Sequence, residues 1–210
     1  MSDLQCAATL LIARHAEAEY ESPILADAGG SLTMRGRRQA EELAERLAPA
    51  RVAAIYSSDM SRAVQTAEIV AARLGVTVRV RSALREFVIG MFAGRPASRQ
   101  VFDEMLDLAV GADLDVGIPG GETRREIVAR MRDVLEQIID LHRGETVLVV
   151  GHSGATRCAV PHVCGNVGND FGRNRPLGHA ETVRIAADAD GWRLESWGEE
   201  TVGRPVNRGA

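Results

Sequence analysis

Two apolar runs that each close on a histidine constrain this chain more than any other feature. Thr9-Leu10-Leu11-Ile12-Ala13 leads into Arg14-His15-Ala16-Glu17, and Thr146-Val147-Leu148-Val149-Val150-Gly151 leads into His152-Ser153-Gly154. Short continuous apolar runs suit strands buried on both faces. In an open α/β sheet, ligands sit just outside the carboxyl ends of the strands. If these two strands are neighbours, about 4.8 Å apart, both imidazoles and the Arg14 guanidinium reach a single anion. A phosphate fits that description.

Between the two runs, strand and helix patterns alternate. Thr33 reads as the N-cap of a helix to about Leu47, with Ala40, Leu43, Ala44 and Leu47 on one face and Pro49 closing it. Residues 52–56 read as a strand. Ser61 is expected to cap a helix whose stripe is Val64, Ala67, Val70, Ala71 and Leu74, stopped by Gly75. A strand over 76–80 follows, then an irregular stretch over 87–120 with a short helix near 99–110. A long helix from Thr123 to about His142 turns Ile127, Met131, Val134, Leu135, Ile138 and Ile139 inward. Pro161 should kink or end the helix after His152. The Gly/Asn/Arg-rich stretch 165–178 reads as a loop. Strands near 182–186 and 192–196 join through Asp188-Ala189-Asp190-Gly191. The alternation implies an α/β fold with a largely parallel sheet covered on both faces.

With 210 residues, 45% of them hydrophobic, the chain can bury one substantial core. We expect one domain over 1–200 and a flexible tail over 201–210. The net charge of -4 gives no reason to expect a nucleic-acid partner. All 25 basic residues are arginine, a compositional bias that also suits phosphate, because guanidinium forks match its oxygens better than ammonium groups do. The three cysteines, Cys6, Cys158 and Cys164, form no CxxC pair, which points to reduced thiols in a cytosol. Cys158, His162 and Cys164 have the wrong spacing for a zinc ribbon or finger, so no metal is expected. The amino terminus lacks a basic leader, and its apolar stretch is too short to span a bilayer. A cytoplasmic protein with no membrane partner is the expectation.

Each candidate site residue has a structural reading beside the functional one. His15 is either a satisfied core histidine or, next to an arginine that needs an anionic partner when buried, part of an anion site. Arg62, in the first turn of its helix, sits at the positive end of the helix dipole. It either reaches solvent or shares a bound anion. Glu86 either pairs with Arg85 or Arg81, or acts as a general acid beside apolar Phe87 and Val88. His152 and Ser153-Gly154 at a helix start offer an imidazole and backbone N–H groups to a phosphate.

Arg14-His15-Ala16-Glu17, the run from Tyr56-Ser57-Ser58-Asp59 through Ser61-Arg62-Ala63 to Ala67, and Val149-Val150-Gly151-His152-Ser153-Gly154 resemble the motifs of the histidine phosphatase superfamily. That superfamily includes the cofactor-dependent phosphoglycerate mutases. Leu32-Thr33 with Gly36 and Gln39-Ala40, Leu84-Arg85-Glu86 with Gly90 and Gly94, and Gly120-Gly121-Glu122-Thr123 add to the likeness, which runs in order from about residue 9 to 160. The resemblance implies a three-layer α/β sandwich and a phosphohistidine intermediate without a metal or other cofactor. It implies His15 as nucleophile, Arg14, Arg62 and His152 as ligands of the phosphoryl oxygens, and Glu86 as proton donor. Ser153 stands where glycine is common and adds a donor. Ala16 stands for the usual glycine, Ala18 for a hydroxyl residue and Glu21 for asparagine. Glu21 in the phosphate shell would oppose the arginines, so it either points away or contacts a cationic or hydroxylated part of the substrate.

The expected activity is hydrolysis of a small phosphorylated metabolite. A mutase, which usually needs a substantial lid to exclude water, and a non-catalytic phospho-ligand binder are the alternatives. Met91, Phe92, Arg95, Arg99, Phe102, Arg173, Asn174 and Arg175 are candidates for the substrate wall or plain solvated loop residues. A homodimer through an edge strand is possible on this reading.

Overall fold

The computed structural model describes residues 6–19, 24–27 and 29–203. Its sheet has seven strands: β1 (Ala8–Arg14), β2 (Val52–Ser57), β3 (Val78–Val80), β4 (Thr146–Gly151), β5 (Thr182–Asp188), β6 (Gly191–Trp197) and β7 (Glu200–Thr201). They lie in the order β3-β2-β4-β1-β5-β6-β7. The first four in that order run parallel, and from β1 onward each pair is antiparallel. The two histidine-ending strands are therefore neighbours, with Arg14 level with Gly151.

Side-chain alternation divides the core into two layers. Leu11 and Ala13 of β1 and Leu148 and Val150 of β4 pack with α1 (Met34–Leu47) and α2 (Ser61–Leu74). Leu10, Ile12, Val147 and Val149 face the other way, towards α3 (Arg99–Ala109), α4 (Arg124–Leu141) and α5 (Ser153–Val163). This is the three-layer α/β arrangement that the alternating pattern predicts.

Helix boundaries follow the caps. Thr33 Oγ1 accepts from the Gly36 N–H at 2.9 Å, and the predicted face of α1 is buried. Thr123 and Glu126 form a full capping box at the start of α4, which buries all six of its predicted apolar residues. Gly75 ends α2 at φ +70°, where a side chain would be strained. Its turn carries Val76 back to the Ala71 carbonyl, so β3 starts at Val78 rather than Val76.

Three expectations are corrected. Ser61 is the first residue of α2 and not its cap; Met60 holds the cap position in extended geometry and makes no side-chain cap bond. Of the two effects expected of Pro161, an end at that residue does not occur, since α5 continues to Val163. The carbonyl of Arg157, four residues before that proline, is closely approached by Gly172, where a Cβ would come within 2.2 Å of it. Finally, Thr201, placed in the tail, pairs with Ser196 in β7; residues 204–210 lie outside the described residues. Among the described residues, no helix is long and apolar enough to cross a membrane.

The capping box makes a direct prediction. Thr123→Ala should lower stability by about 1 kcal/mol, read as a shifted urea midpoint at unchanged m-value, and Thr123→Ser should restore it.

Candidate active site

His15 is the first residue past β1, and its N–H donates to the Gly151 carbonyl at 2.9 Å. Its Nδ1 lies 2.8 Å from the Ala16 carbonyl. A carbonyl only accepts, so Nδ1 carries the proton and Nε2 presents a lone pair. Arg62 Nε donates to that Nε2 at 3.0 Å. Thr66, one turn further along α2, ties the two parts together. Its hydroxyl donates to the Arg62 carbonyl at 2.7 Å and accepts from the Ala16 N–H at 3.0 Å. Gly29 leaves room for the guanidinium, since a Cβ there would fall 1.4 Å from Arg62 Nη1.

His152, past the end of β4, has its ring 5.2 Å from that of His15. It is 1% exposed and lies behind the cavity wall. Ser58 Oγ is 2.7 Å from its Nε2, and its buried Nδ1 has no protein partner. His179, just before β5, places a third ring 5.8 Å from His15. Burial, then the Arg62 charge, holds His15 well below the usual imidazole range. Burial, then neighbouring His15, does the same for His152. Burial and Arg14 push His179 down to about 4. Arg14 itself is anchored by Nη1 on the Leu177 carbonyl at 2.9 Å.

Glu86 does not pair with Arg85; it lies beside Phe87, as one of the two readings had it, and backbone N–H groups hold it. Its Oε2 accepts from the Gly154 N–H at 2.9 Å, and its Oε1 from those of Ala155 at 2.6 Å and Phe87 at 3.1 Å. The carboxylate thus sits on the amino end of α5, where unsatisfied N–H groups favour an anion. Arg85 pairs with Asp59 instead of Glu86. Gly154 makes this seat possible: a Cβ there would lie 2.1 Å from Phe87 Cε1 and 2.9 Å from Glu86 Oε1. The segment is braced from α4. Arg130 bonds Glu122 at 2.6 Å and the carbonyls of Ala83 and Arg85, while Glu122 accepts from the Val88 N–H.

Arg14, His15, Arg62, Glu86 and Ser153 line one cavity of about 860 Å³. Of the proposed wall residues only Phe102 lines it; Met91, Phe92, Arg95, Arg99, Arg173, Asn174 and Arg175 do not. Phe92 is core, with Arg95 over its ring, and Arg175 stacks on Phe171 and reaches Glu200. Glu21 lies outside the described residues. Ala16 fits without left-handed backbone and is fully buried, while Ala18 lines the cavity.

Sequence reasoning gave no separate role to Ser58, Arg157 or His179. Arg157 shares a face of α5 with Ser153 four residues earlier, a spacing that was open to notice. Nothing local in Gly178-His179-Ala180 distinguishes a site residue from a loop residue.

A model of the histidine phosphatase superfamily (branch 1) matches residues 10–200. The chain belongs to the histidine phosphatase superfamily. It is 30% identical over 196 residues to "Probable phosphoglycerate mutase GpmB" of Salmonella choleraesuis (strain SC-B67), covering 91% of each chain. The structure is similar to mycobacterial glucosyl-3-phosphoglycerate phosphatase, with a TM-score of 0.77 at 25% identity over 92% of this chain and 100% of that one. Bacillus stearothermophilus YhfR gives 0.75 at 26% identity, over 94% of this chain and 98% of that one. Members of this superfamily are phosphatases or mutases, and a phosphate-sized anion suits the ring of donors around His15.

The depressed imidazoles predict how this superfamily member responds to acid. An unfolded histidine titrates near 6.5, whereas folded His15, His152 and His179 remain neutral below that. Between about pH 5 and 6.5 the unfolded chain binds more protons, so stability is full above that window and falls as pH drops through it. Each histidine contributes at most about 1.4 kcal/mol per pH unit. Urea midpoints measured across this range should decline on acidification, and His152→Gln should flatten the decline. A level profile in the wild type would contradict the buried neutral rings.

Proposed function

We propose that this protein hydrolyses a phosphomonoester of a small metabolite through a phosphohistidine on His15. One observation carries the reading. The Nε2 lone pair of a neutral, buried imidazole faces the Arg62 guanidinium, with Arg14, Glu86 and Ser153 on the walls of the same cavity.

In this mechanism the phosphoryl group displaces the Arg62 N–H from Nε2 and takes over that donor. The low proton affinity of His15 keeps its lone pair available at neutral pH. Nε2 attacks phosphorus in line, a P–N bond forms, and the ester P–O bond breaks on the far side. Glu86 takes the proton of the incoming phosphomonoester monoanion and, as the carboxylic acid, passes it to the departing alkoxide. It then takes a proton from the water that attacks phospho-His15, which releases inorganic phosphate and restores neutral His15. Arg14, Arg62 and the α5 amino end at Ser153 hold the phosphoryl oxygens, and His152 backs the His15 ring from 5.2 Å away. Each arginine at about 4 Å offers on the order of 4 kcal/mol of raw Coulomb attraction at an effective dielectric near 20. Positioned charge of this kind is the principal source of catalysis in phosphoryl transfer.

The named relative of Salmonella choleraesuis favours a mutase as second reading. A mutase has to keep water from its phosphoenzyme. The short stretch between Glu86 and Gly120 and the Gly/Asn-rich 165–178 segment supply little sequence for a large lid, which supports hydrolysis.

His15→Ala should abolish phosphate release from a panel of phosphorylated metabolites, and Arg62→Ala should lower kcat by about 10²–10³-fold. Acid-labile, alkali-stable label should be trapped on the wild type only. Ordinary turnover by His15→Ala would remove the nucleophile assignment, and isomerised product without phosphate would favour the mutase.

A further inference from the structure

Resting on that phosphomonoesterase reading, we infer that the leaving group is an apolar, ring-sized alcohol and not a carboxylate-bearing one. Two chemically distinct sets of side chains line the cavity. One is the nitrogen-rich ring around His15. The other is an apolar wall of Leu25, Phe87, Ile89, Phe102, Met105 and Leu106, of which Phe87 packs beside Gly154 and Glu86.

Three segments build that wall, and each is held in place. Phe102, Met105 and Leu106 share one face of α3, at spacings of three and four. Leu25 is fastened to the 94–95 turn by two backbone bonds, its N–H to the Arg95 carbonyl and the Gly94 N–H to its own carbonyl. The Ile89 N–H donates to Asp27 Oδ1 at 3.0 Å, which joins the first segment to the loop that carries Glu86. Such a wall is preformed, so an apolar group that enters it does not have to organise it first.

Recognition of a second anion would need a second cation. Among the described residues lining the cavity, the arginines are Arg14, Arg62, Arg85 and Arg157. The first two belong to the ring around His15. Arg85 is paired with Asp59. Arg157 commits Nε to the Gly172 carbonyl at 2.9 Å and Nη2 to the Arg173 carbonyl at 2.5 Å, which occupies that edge of its fork. A carboxylate placed beyond the phosphoryl group would lose its hydration to leucine, phenylalanine and methionine, which is unfavourable without a partner. A ring in the same place would gain from the loss of its hydration.

Binding of stable phosphonates tests this without turnover. In calorimetric titrations of the wild-type chain, naphthylmethylphosphonate should bind at least about tenfold more tightly than phosphonopropionate. Leu106→Asp, on a half-buried position, should erase that ratio. Equal affinities, tighter binding of phosphonopropionate, or no detectable binding of naphthylmethylphosphonate would overturn the inference. Phosphate release from naphthyl phosphate is measured alongside. The expected binding ratio without any release would overturn the hydrolase reading and leave the substrate class standing. Release with the ratio inverted would do the opposite.

Discussion

The site depends on Arg14 lying level with Gly151 across the β1–β4 pair. That register puts the His15 N–H on the Gly151 carbonyl and sends both chains out of the sheet side by side. β2 flanks β4 on the other side, so Ser58 emerges next to them with its N–H on the Val150 carbonyl. Three adjacent parallel strands thus deliver His15, Ser58 and His152 to one edge. A slip of one residue in either strand would turn its side chains to the opposite layer. The core resists that slip, because Leu10 and Ile12 would exchange places with Leu11 and Ala13, which pack against different helices.

Crowding cations and imidazoles has an electrostatic cost that the chain handles by burial. His15, His152 and His179 lie close together beside Arg14 and Arg62, and all three rings are held below their usual proton affinity. Had the rings been charged, the cluster would repel itself in a region of low dielectric. As neutral rings they keep lone pairs, and the positive charge stays on the arginines, which do not lose it. Glu86 is kept from neutralising those arginines by being bonded to the α5 amino end instead. The carboxylate and the guanidinium groups thus share a cavity wall without bonding each other.

Much of this was legible in the sequence because its signals were local. The apolar runs gave β1 and β4; the Thr33 and Thr123 caps gave the starts of α1 and α4; the adjacency of Arg14 to His15 pointed to the cavity that both residues line. What failed to be legible depended on distance along the chain. Two of the three partners of Glu86 are 68 and 69 residues away, so its seat on the α5 amino end had no signal among its sequence neighbours. The Ser61 cap was misplaced because the extended cap geometry at Met60 follows from how the chain leaves β2, and Ser58 turns its hydroxyl to His152. The wall residues Leu25, Met105 and Leu106 carry no motif, since an apolar side chain on a cavity and one in a core obey the same periodicity. Phe92 illustrates the converse, a loop residue that packs as core under the half-exposed Arg95.

The division of the cavity lining into two sets also bears on how one scaffold serves relatives named for different reactions. The nucleophile set is made from strand ends and helix starts, which the sheet register holds rigidly. The apolar wall comes from 24–27, 87–89 and α3, tied together by the Asp27 bond to the Ile89 amide and the Leu25 bonds to the 94–95 turn. Those ties use backbone and one carboxylate, so Leu25, Ile89 and the α3 side chains can change without breaking them, whereas Phe87 packs beside Gly154 at the Glu86 seat. The phosphoryl ring sees the same transferring group whatever the alcohol. On the proposed reading, the choice of alcohol falls to Leu25, Ile89 and the α3 side chains rather than to His15 or Glu86. On this chain those residues are apolar, which on the same reading favours release of the alcohol over its retention through a second polar contact.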